Sequence, residues 1–276
     1  RHVIKEILAA RVSYLNIFLL GGTKDATDII KLIKDNFNDS YILTTTTTKY
    51  GGELSLSRGS DDVICKPLVK DEILKIISNG DFDFLIDATH PFASHISQTA
   101  IEISKIVDIE YIRFERPPFN LKCVNTNSLY HVDSFVEAGR FIVEDLNRDN
   151  ENVLHFAGAN TMSDVLKYVN KDFFYPRVLN VKSSIVKCEE LNIDPSHVLF
   201  MDGVSTKEEN MFLINKFNAK VIITKESGET GGLFEKISAA NEFGIDIVLV
   251  DRPHINDLDE EYIINSLNEL LIKLKH

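Results

Sequence analysis

Short apolar segments alternate with amphipathic segments along most of the chain, and this alternation constrains the fold more than any other feature. Residues 16–20, 82–87 and 221–224 are rich in apolar or β-branched residues, as strands are, and segments with helical spacing of apolar residues follow them. A helix between two strands carries the chain back to the starting edge, so the strands become parallel. The sequence therefore predicts an α/β protein built on parallel sheets.

The chain has 276 residues, which is enough for two domains. Residues 121–127 form a loop with little pattern between two series of strand–helix units, so we place the boundary there. The predicted domains are residues 14–124 and residues 125–276, the second including the C-terminal helix. Residues 1–13 are interpreted as an extra N-terminal segment outside this core.

Composition argues against several classes of function. The formal net charge of -12 disfavours non-specific binding to nucleic acid or to an anionic membrane surface. No apolar run approaches the roughly 20 residues that span a bilayer. Cys65, Cys123 and Cys188 are widely spaced, so they indicate neither a disulfide framework nor a zinc site. We expect a cytoplasmic protein with no metal centre and no nucleic-acid or membrane partner.

The turn after the first strand is the first candidate binding site. Gly21 and Gly22 let the backbone approach a ligand, and Thr23, Lys24 and Asp25 begin a helix. A helix N-terminus at the carboxyl end of a strand is where nucleotide pyrophosphates bind in doubly wound folds. The spacing is not Gly-x-Gly-x-x-Gly, so on this stretch alone a purely structural turn is an equal alternative.

A run of threonines ends the second strand and leads to Lys49. In a dinucleotide-binding fold this strand ends beside the adenosine ribose, which Thr46 and Lys49 could contact. An acidic residue there would favour a free ribose hydroxyl, whereas Lys49 tolerates a 2′-phosphate. The alternative explanation is β propensity alone.

Polar residues also follow the strands at residues 82–87 and 111–115. Thr89 and His90 come after the first of these strands, at the sheet edge that carries the glycine pair. A satisfied helix-start histidine is the alternative for His90. Arg113 and Arg116 at the second strand end form either a solvated pair or an anion site.

The buried strand at residues 221–224 runs into a loop, residues 225–232, that is rich in glycine, hydroxyl groups and charge. Loops at the carboxyl ends of parallel strands are where α/β proteins place ligand-contacting groups. Arg252 follows the last strand of this half, and its Arg-Pro pair repeats the one at Arg116.

Several of these stretches resemble, in the same order, the precorrin-6A reductase family of cobalamin biosynthesis. They are LLGGTKD (19–25), DATHPFA (87–93), RFERP (113–117), TKESG (224–228) and VDRP (250–253). The resemblance implies two Rossmann-like parallel-sheet domains with a cleft between them, the first binding the nucleotide and the second lying on the substrate side. It implies an NAD(P)H-dependent oxidoreductase that reduces a carbon–carbon double bond of a corrin precursor. The turn at residues 21–23 would hold the cofactor pyrophosphate, and the macrocycle would lie in the cleft.

Two versions of the family are distinguished by substrate, cobalt-precorrin-6A and metal-free precorrin-6A. Residues 225–228 and 202–210 resemble the cobalt version. Residues 46–50 stand where the metal-free version often carries an arginine, so both NADPH and NADH are kept as cofactors.

The resemblance and the residue types together assign the site. The macrocycle carries many carboxylates, which require cations even in an acidic protein. The predicted proton donors are His90 and Lys225, with solvent as the alternative. The predicted substrate-binding residues are Arg113, Arg116, Lys225, Ser227, Gly228, Thr230, Gly231 and Arg252. The predicted cofactor-binding residues are Gly21, Gly22, Thr23, Lys24, Asp25, Thr46, Lys49 and Thr89.

Two other functions compete with this interpretation. A non-catalytic nucleotide-binding sensor would explain the glycine turn but neither the loop at residues 225–232 nor the arginines at strand ends. A nicotinamide reductase of another anionic small molecule is the alternative among enzymes. The expected partners are a tetrapyrrole substrate and other enzymes of the pathway.

Overall fold

The computed structural model of the protein describes residues 15–121, 128–201, 203–228 and 231–276. The predicted N-terminal segment, residues 1–13, and the candidate site residue Thr230 lie outside these ranges. The chain divides into two compact units. The second unit is Pro118–Pro253, and the described residues before and after it form the first unit.

Strands and helices alternate as the sequence predicts. The strands are β1 (Leu15–Leu20), β2 (Ser40–Thr46), β3 (Asp62–Cys65), β4 (Phe84–Asp87), β5 (Glu110–Phe114), β6 (Leu129–Val132), β7 (Val153–His155), β8 (Phe174–Val178), β9 (Leu199–Phe200), β10 (Val221–Lys225), β11 (Asp246–Val250) and β12 (Ile263–Ile264). The helices are α1 (Lys24–Asn36), α2 (Lys49–Ser57), α3 (Lys70–Asn79), α4 (Ser94–Val107), α5 (Phe135–Glu144), α6 (Met162–Val165), α7 (Lys182–Glu190), α8 (Lys207–Lys216), α9 (Leu233–Phe243) and α10 (Leu267–Leu274). Of these helices, none combines the length and the apolar character needed to cross a membrane.

Each unit contains a six-stranded parallel sheet, which confirms the predicted fold class. The first sheet has the order β12-β5-β4-β1-β2-β3, and the second has the order β6-β11-β10-β7-β8-β9. In each sheet the direction of chain progression reverses once inside the sheet, between β1 and β4 in the first and between β7 and β10 in the second. Ligands of open α/β sheets bind outside the carboxyl ends of the strands at such a reversal.

The core of the first unit lies on both faces of β1, because its side chains alternate across the sheet. Ile17 and Leu19 pack with Ile29 of α1 on one face. Phe18 packs with Ile73 of α3 on the other face. Full burial of both faces explains why β1 is an uninterrupted apolar run. This packing fixes the position of the turn that follows β1.

The prediction that the C-terminal helix belongs to the second domain is wrong. Ile263 and Ile264 of β12 pair with Arg113 and Phe114 of β5, and α10 packs on the core of the first unit through Leu270. The helix predicted over residues 258–275 is shorter, because its beginning forms this strand. The chain therefore enters the second unit after Pro117, not near residue 124, and leaves it at Pro253.

Helix α2 is absent from the sequence prediction because two glycines lie in its first turn. Thr48 caps this helix by accepting a hydrogen bond from the backbone N–H of Gly51 at 3.1 Å. A Cβ on Gly52 would lie 2.1 Å from the sulfur of Cys65. Gly52 is therefore required by the close packing of α2 against β3, despite its low helix propensity.

Candidate active site

A cavity of about 470 Å³ opens at the reversal point of the first sheet. Most of its lining residues follow four neighbouring strands, β4, β1, β2 and β3. The predicted site residues Gly21, Gly22, Thr23, Thr46, Thr89 and His90 are all among them. Cys-, His- or carboxylate-rich clusters that could hold a metal ion do not occur among the described residues.

The two glycines of the turn after β1 serve different purposes. Gly21 donates to the carbonyl of Thr45 at 2.9 Å, and a Cβ at this position would lie 2.9 Å from the Thr44 methyl group. Gly22 has φ +95°, a conformation that L side chains rarely adopt, and a Cβ there would meet nothing within 4 Å. Gly21 therefore lets the turn pack against β2, whereas Gly22 leaves backbone exposed to the cavity.

Thr23 fixes the start of α1. Its hydroxyl accepts from the backbone N–H of Ala26 at 3.1 Å and donates to the carbonyl of Ala88 at 2.7 Å. The same side chain thus caps the helix and ties it to the segment after β4. The N-terminal amides of α1 and their partial positive charge are held at the cavity, as anion binding requires.

We expect Thr23→Val to destabilise the protein by about 1–2 kcal/mol, because the helix loses its cap. Thr23→Ser keeps the hydroxyl and should behave like the wild type. Urea unfolding of the three proteins measures the difference. Equal unfolding midpoints for the valine and serine variants would show that the cap contributes nothing.

Two predicted cofactor residues at the start of α1 do not line the cavity. Lys24 is exposed, and Asp25 forms an ion pair with Arg116. Arg116 also lies 3.2 Å from Asp28. Burial raises the pKa of Asp25, and Arg116 acts in the opposite direction. Arg116, which was predicted to bind substrate, therefore compensates the negative charge at the beginning of α1. Its contact with substrate stays a prediction.

At the end of β2 the structure separates the two residues that were expected to contact ribose. Thr46 lines the cavity and donates to the carbonyl of Thr48 at 2.7 Å. Lys49 is exposed, begins α2 and pairs with Glu53 at 3.7 Å. Lys66, which follows β3 and which the sequence analysis overlooked, does line the cavity.

A buried polar network holds the segment after β4 in place. The carboxylate of Asp87, fully buried, accepts from the Thr89 hydroxyl at 2.6 Å, from Tyr111 at 3.0 Å and from Arg113 at 2.8 Å. Arg113 also pairs with Glu115 at 2.9 Å. The prediction that Arg113 contacts substrate is wrong, since its side chain is 0% exposed. It instead positions Thr89 at the cavity.

His90 lines the cavity at the beginning of the turn before α4. Its Nδ1 accepts a hydrogen bond from the backbone N–H of Phe92 at 3.2 Å. A neutral ring that accepts at Nδ1 carries its proton on Nε2. The histidine thus helps to form this turn, as the alternative interpretation expects, and in this tautomer its ring is neutral.

In the second unit, the loop after β10 is organised by Glu226. This buried carboxylate pairs with Arg252 and accepts from the backbone N–H groups of Phe119 and Gly228, both at 2.9 Å. Gly228 has φ +75°, and a Cβ on Gly231 would lie 1.7 Å from the Ser227 hydroxyl. The predicted substrate residues Ser227, Gly228, Gly231 and Arg252 therefore belong to one structured loop region; their contact with substrate stays a prediction.

Lys225 ends β10, half-buried, and burial lowers its pKa. Beside it in the sheet, His155 of β7 is fully buried and contacts Thr161 at 2.8 Å. Burial lowers the pKa of His155 to about 3, and the positive charge of Lys225 acts in the same direction. His155 is therefore neutral over the physiological range.

Comparison with known proteins agrees with this geometry. The family model described as precorrin-6x reductase CbiJ/CobK matches residues 16–275. A protein named cobalt-precorrin-6A reductase from Methanocaldococcus jannaschii is 40% identical over 91% of this chain and 99% of its own length. Another of that name, from Methanothermobacter thermautotrophicus, is 37% identical over 93% of this chain and 82% of its own length.

A solved structure described as CobK precorrin-6A reductase has the same fold. It aligns with a TM-score of 0.70 over 95% of this chain and 96% of its own, at 17% sequence identity. The family model and the two relatives cover both units, including the glycine turn and the loop after β10. The chain therefore belongs to the precorrin-6x reductase CbiJ/CobK family.

Proposed function

We propose that this protein is a cobalt-precorrin-6A reductase that transfers hydride from NADPH to a carbon–carbon double bond of the corrin precursor. The observation that carries the proposal is the cavity at the reversal of the first sheet, where the glycine turn, the capped helix and the Asp87 segment meet. The whole-chain similarity to reductases of that name supports the substrate class.

The residues of the cavity fit a nicotinamide dinucleotide. Gly22 leaves open space where a side chain would otherwise stand, and the first amides of α1 can donate to a pyrophosphate. Thr46 and Thr89 add hydroxyl groups on either side of this turn. The bound cofactor supplies the hydride, while the protein supplies position and electrostatics.

The end of β2 supports NADPH over NADH. An acidic residue at this position usually binds the free ribose hydroxyls of NADH. Here residues 45–48 are all threonine, and the described lining of the cavity includes Lys66 but no carboxylate side chain. Lys66 is paired with Glu72 at 2.6 Å, so a 2′-phosphate there meets hydroxyl groups and a cation that it must share with that carboxylate.

Reduction of a carbon–carbon double bond also needs a proton for the second carbon. His90 lines the cavity and is the first candidate; it donates as the imidazolium, and forming that cation requires the contact between Nδ1 and the Phe92 amide to open. Lys225 is the second candidate, since burial lowers its pKa and makes proton release easier. The buried Asp87 and Arg113 hold the segment that carries His90 and do not take part in proton transfer.

An anaerobic assay tests the function directly. Purified protein is mixed with cobalt-precorrin-6A or metal-free precorrin-6A, each with NADPH or NADH, and the loss of reduced-nicotinamide absorbance is followed. We expect the fastest oxidation with cobalt-precorrin-6A and NADPH. Oxidation only with the metal-free substrate, or equal rates with both nucleotides, would overturn the substrate or the cofactor choice. Nucleotide binding without oxidation in any mixture would favour the sensor.

We expect His90→Gln to lower kcat about 100-fold or more while leaving the KM for NADPH nearly unchanged, because glutamine keeps the turn but cannot act as the acid. His131→Gln is the control, since His131 lies in the second unit and pairs with Asp251. Normal turnover by the His90 variant would assign the proton to Lys225 or solvent.

A further inference from the structure

The second sheet has its own reversal point, between β7 and β10, and cations gather there. His155 of β7 is in register with Ile223 of β10 and with Pro176 of β8. Thr224 follows Ile223 on β10, and Arg177 follows Pro176 on β8. Thr224 and Arg177 therefore lie at the same level of the sheet, and their side chains point to the same face. This face carries α8 and α9.

Arg177 is held in place by an aromatic ring, and the charge of Glu209 acts on it only at a distance, raising its pKa against the larger effect of burial. Its guanidinium lies 4.6 Å from the centre of the Phe156 ring, which orients it by a cation–π contact. Its Nη1 is buried and has no hydrogen-bond partner, and no ion pair with a described carboxylate involves this arginine. An arginine normally uses its planar fork to bind a carboxylate or a phosphate.

Lys236 of α9 is a second cation of the same kind. Only 3% of it is exposed, and its one hydrogen bond in the described structure goes to the carbonyl of Gly231 at 2.9 Å. Burial, followed by the charges of Arg177 and Lys225, lowers its pKa to about 7; Glu235 acts weakly in the opposite direction. An ammonium group can donate three hydrogen bonds, so this one is incompletely satisfied.

Neutral polar groups on the same face are also unsatisfied. The hydroxyl of Thr224 and both side-chain polar atoms of Asn210 on α8 are buried without a partner. Both residues are 0% exposed. Buried polar groups are nearly always hydrogen-bonded, and each exception calls for a missing partner. The two residues lie on the face that carries Arg177 and Lys236, and among the described residues neither of these cations has an ion-pair partner.

We propose that Arg177 and Lys236, together with Thr224 and Asn210, form a binding site for a carboxylate in the second unit. The inference rests on the proposed function for the identity of the ligand, which is an acetate or propionate side chain of the corrin substrate. One carboxylate supplies negative charge and acceptor atoms for the donors of this face, which are the guanidinium, the ammonium group, the Thr224 hydroxyl and the side-chain N–H groups of Asn210. These residues act by holding substrate and not by transferring protons.

The site predicts a dependence on pH. Without ligand, Lys236 loses its proton as the pH rises through about 7. A bound carboxylate favours the charged lysine and raises this pKa, so binding takes up a proton near and above neutral pH. The affinity should fall as the pH increases from 6.5 to 8.5. The other charged groups near Lys236 are Arg177, Lys225 and Glu235.

The first test uses sodium propionate as the probe, with sodium chloride at equal ionic strength as the reference. We expect propionate to raise the melting temperature of the wild type, more at pH 6.5 than at pH 8.5. Lys236→Met should melt higher than the wild type without propionate, because a buried cation is removed, and should not respond to propionate. Lys171→Met removes an exposed lysine of the same unit and should respond like the wild type.

Two outcomes of this test would overturn the site. One is equal stabilisation of the wild type and the Lys236→Met variant by propionate. The other outcome has two parts: propionate has no effect on the wild type, and the Lys236→Met variant melts at a lower temperature than the wild type. Lys236 would then be a structural residue that stabilises the fold through its hydrogen bond to Gly231.

Steady-state kinetics then tests the carboxylate site and the proposed function independently of each other. We expect Lys236→Met to raise the KM for cobalt-precorrin-6A about 10- to 100-fold, which corresponds to the loss of one charge-assisted hydrogen bond, and to leave the KM for NADPH unchanged. An active enzyme with an unchanged KM for the corrin would overturn the site but not the function. A protein that is inactive on every corrin but stabilised by propionate in this pattern would overturn the function and keep the site.

Discussion

Gly22→Val should raise the dissociation constant for NADPH by at least about 100-fold, because it combines backbone strain with a side chain in the binding space. A β-branched residue at φ +95° is strained by roughly 1–3 kcal/mol. If the turn changes conformation to relieve this strain, restoring the binding conformation costs the same free energy, and each 1.4 kcal/mol lowers the affinity about tenfold. The branched side chain also projects into the space proposed for the pyrophosphate. Isothermal titration with NADPH measures the effect.

Gly59→Val is the matched control for this prediction. Gly59 lies in the same unit at φ +110°, outside the cavity lining, and its Cβ would approach only the flexible side chain of Lys34. Both variants should lose stability to a similar degree, but only the Gly22 variant should lose the cofactor. If the two bind NADPH equally well, the turn after β1 does not hold the pyrophosphate.

Arg113→Met should cost about 3–5 kcal/mol of unfolding free energy, because it leaves the carboxylate of Asp87 buried without its cation. The double variant Asp87→Asn with Arg113→Met should recover part of this loss, since the uncompensated charge is then absent. Urea unfolding of the two variants and the wild type measures both effects.

Arg140→Met is the control for charge removal alone. Arg140 lies at the surface of α5 with three carboxylates around it, and exposed pairs of this kind contribute little to stability because solvent screens them. If the Arg113 and Arg140 variants lose the same free energy of unfolding, the burial of the Arg113–Asp87 pair does not determine the loss. The Arg113 variant should also bind NADPH more weakly, because Thr89 loses its support at the cavity.

The sequence allowed the fold class to be predicted, and it placed candidate site residues that line the cavity at the reversal of the first sheet. Apolar strand periodicity, the glycine pair and the helix start at Thr23 are all local signals, carried by adjacent residues. The outcome for Arg113 shows the limit of such signals. A strand-end arginine has the same local sequence whether it faces a ligand or a buried carboxylate 26 positions earlier in the chain.

The tertiary structure decided the rest because it depends on contacts between distant segments. The placement of β12 beside β5 assigns the C-terminal residues to the first unit, and no local pattern records that pairing. Lys236 likewise looks like an ordinary helix lysine, since its helix neighbours indicate neither its burial nor its proximity to Arg177. Most of the secondary structure and the chemistry of the turn after β1 are set over a few residues, so the sequence alone determined them. Burial and charge compensation are set by the whole fold, so only the fold reveals which cations are satisfied and which require a ligand.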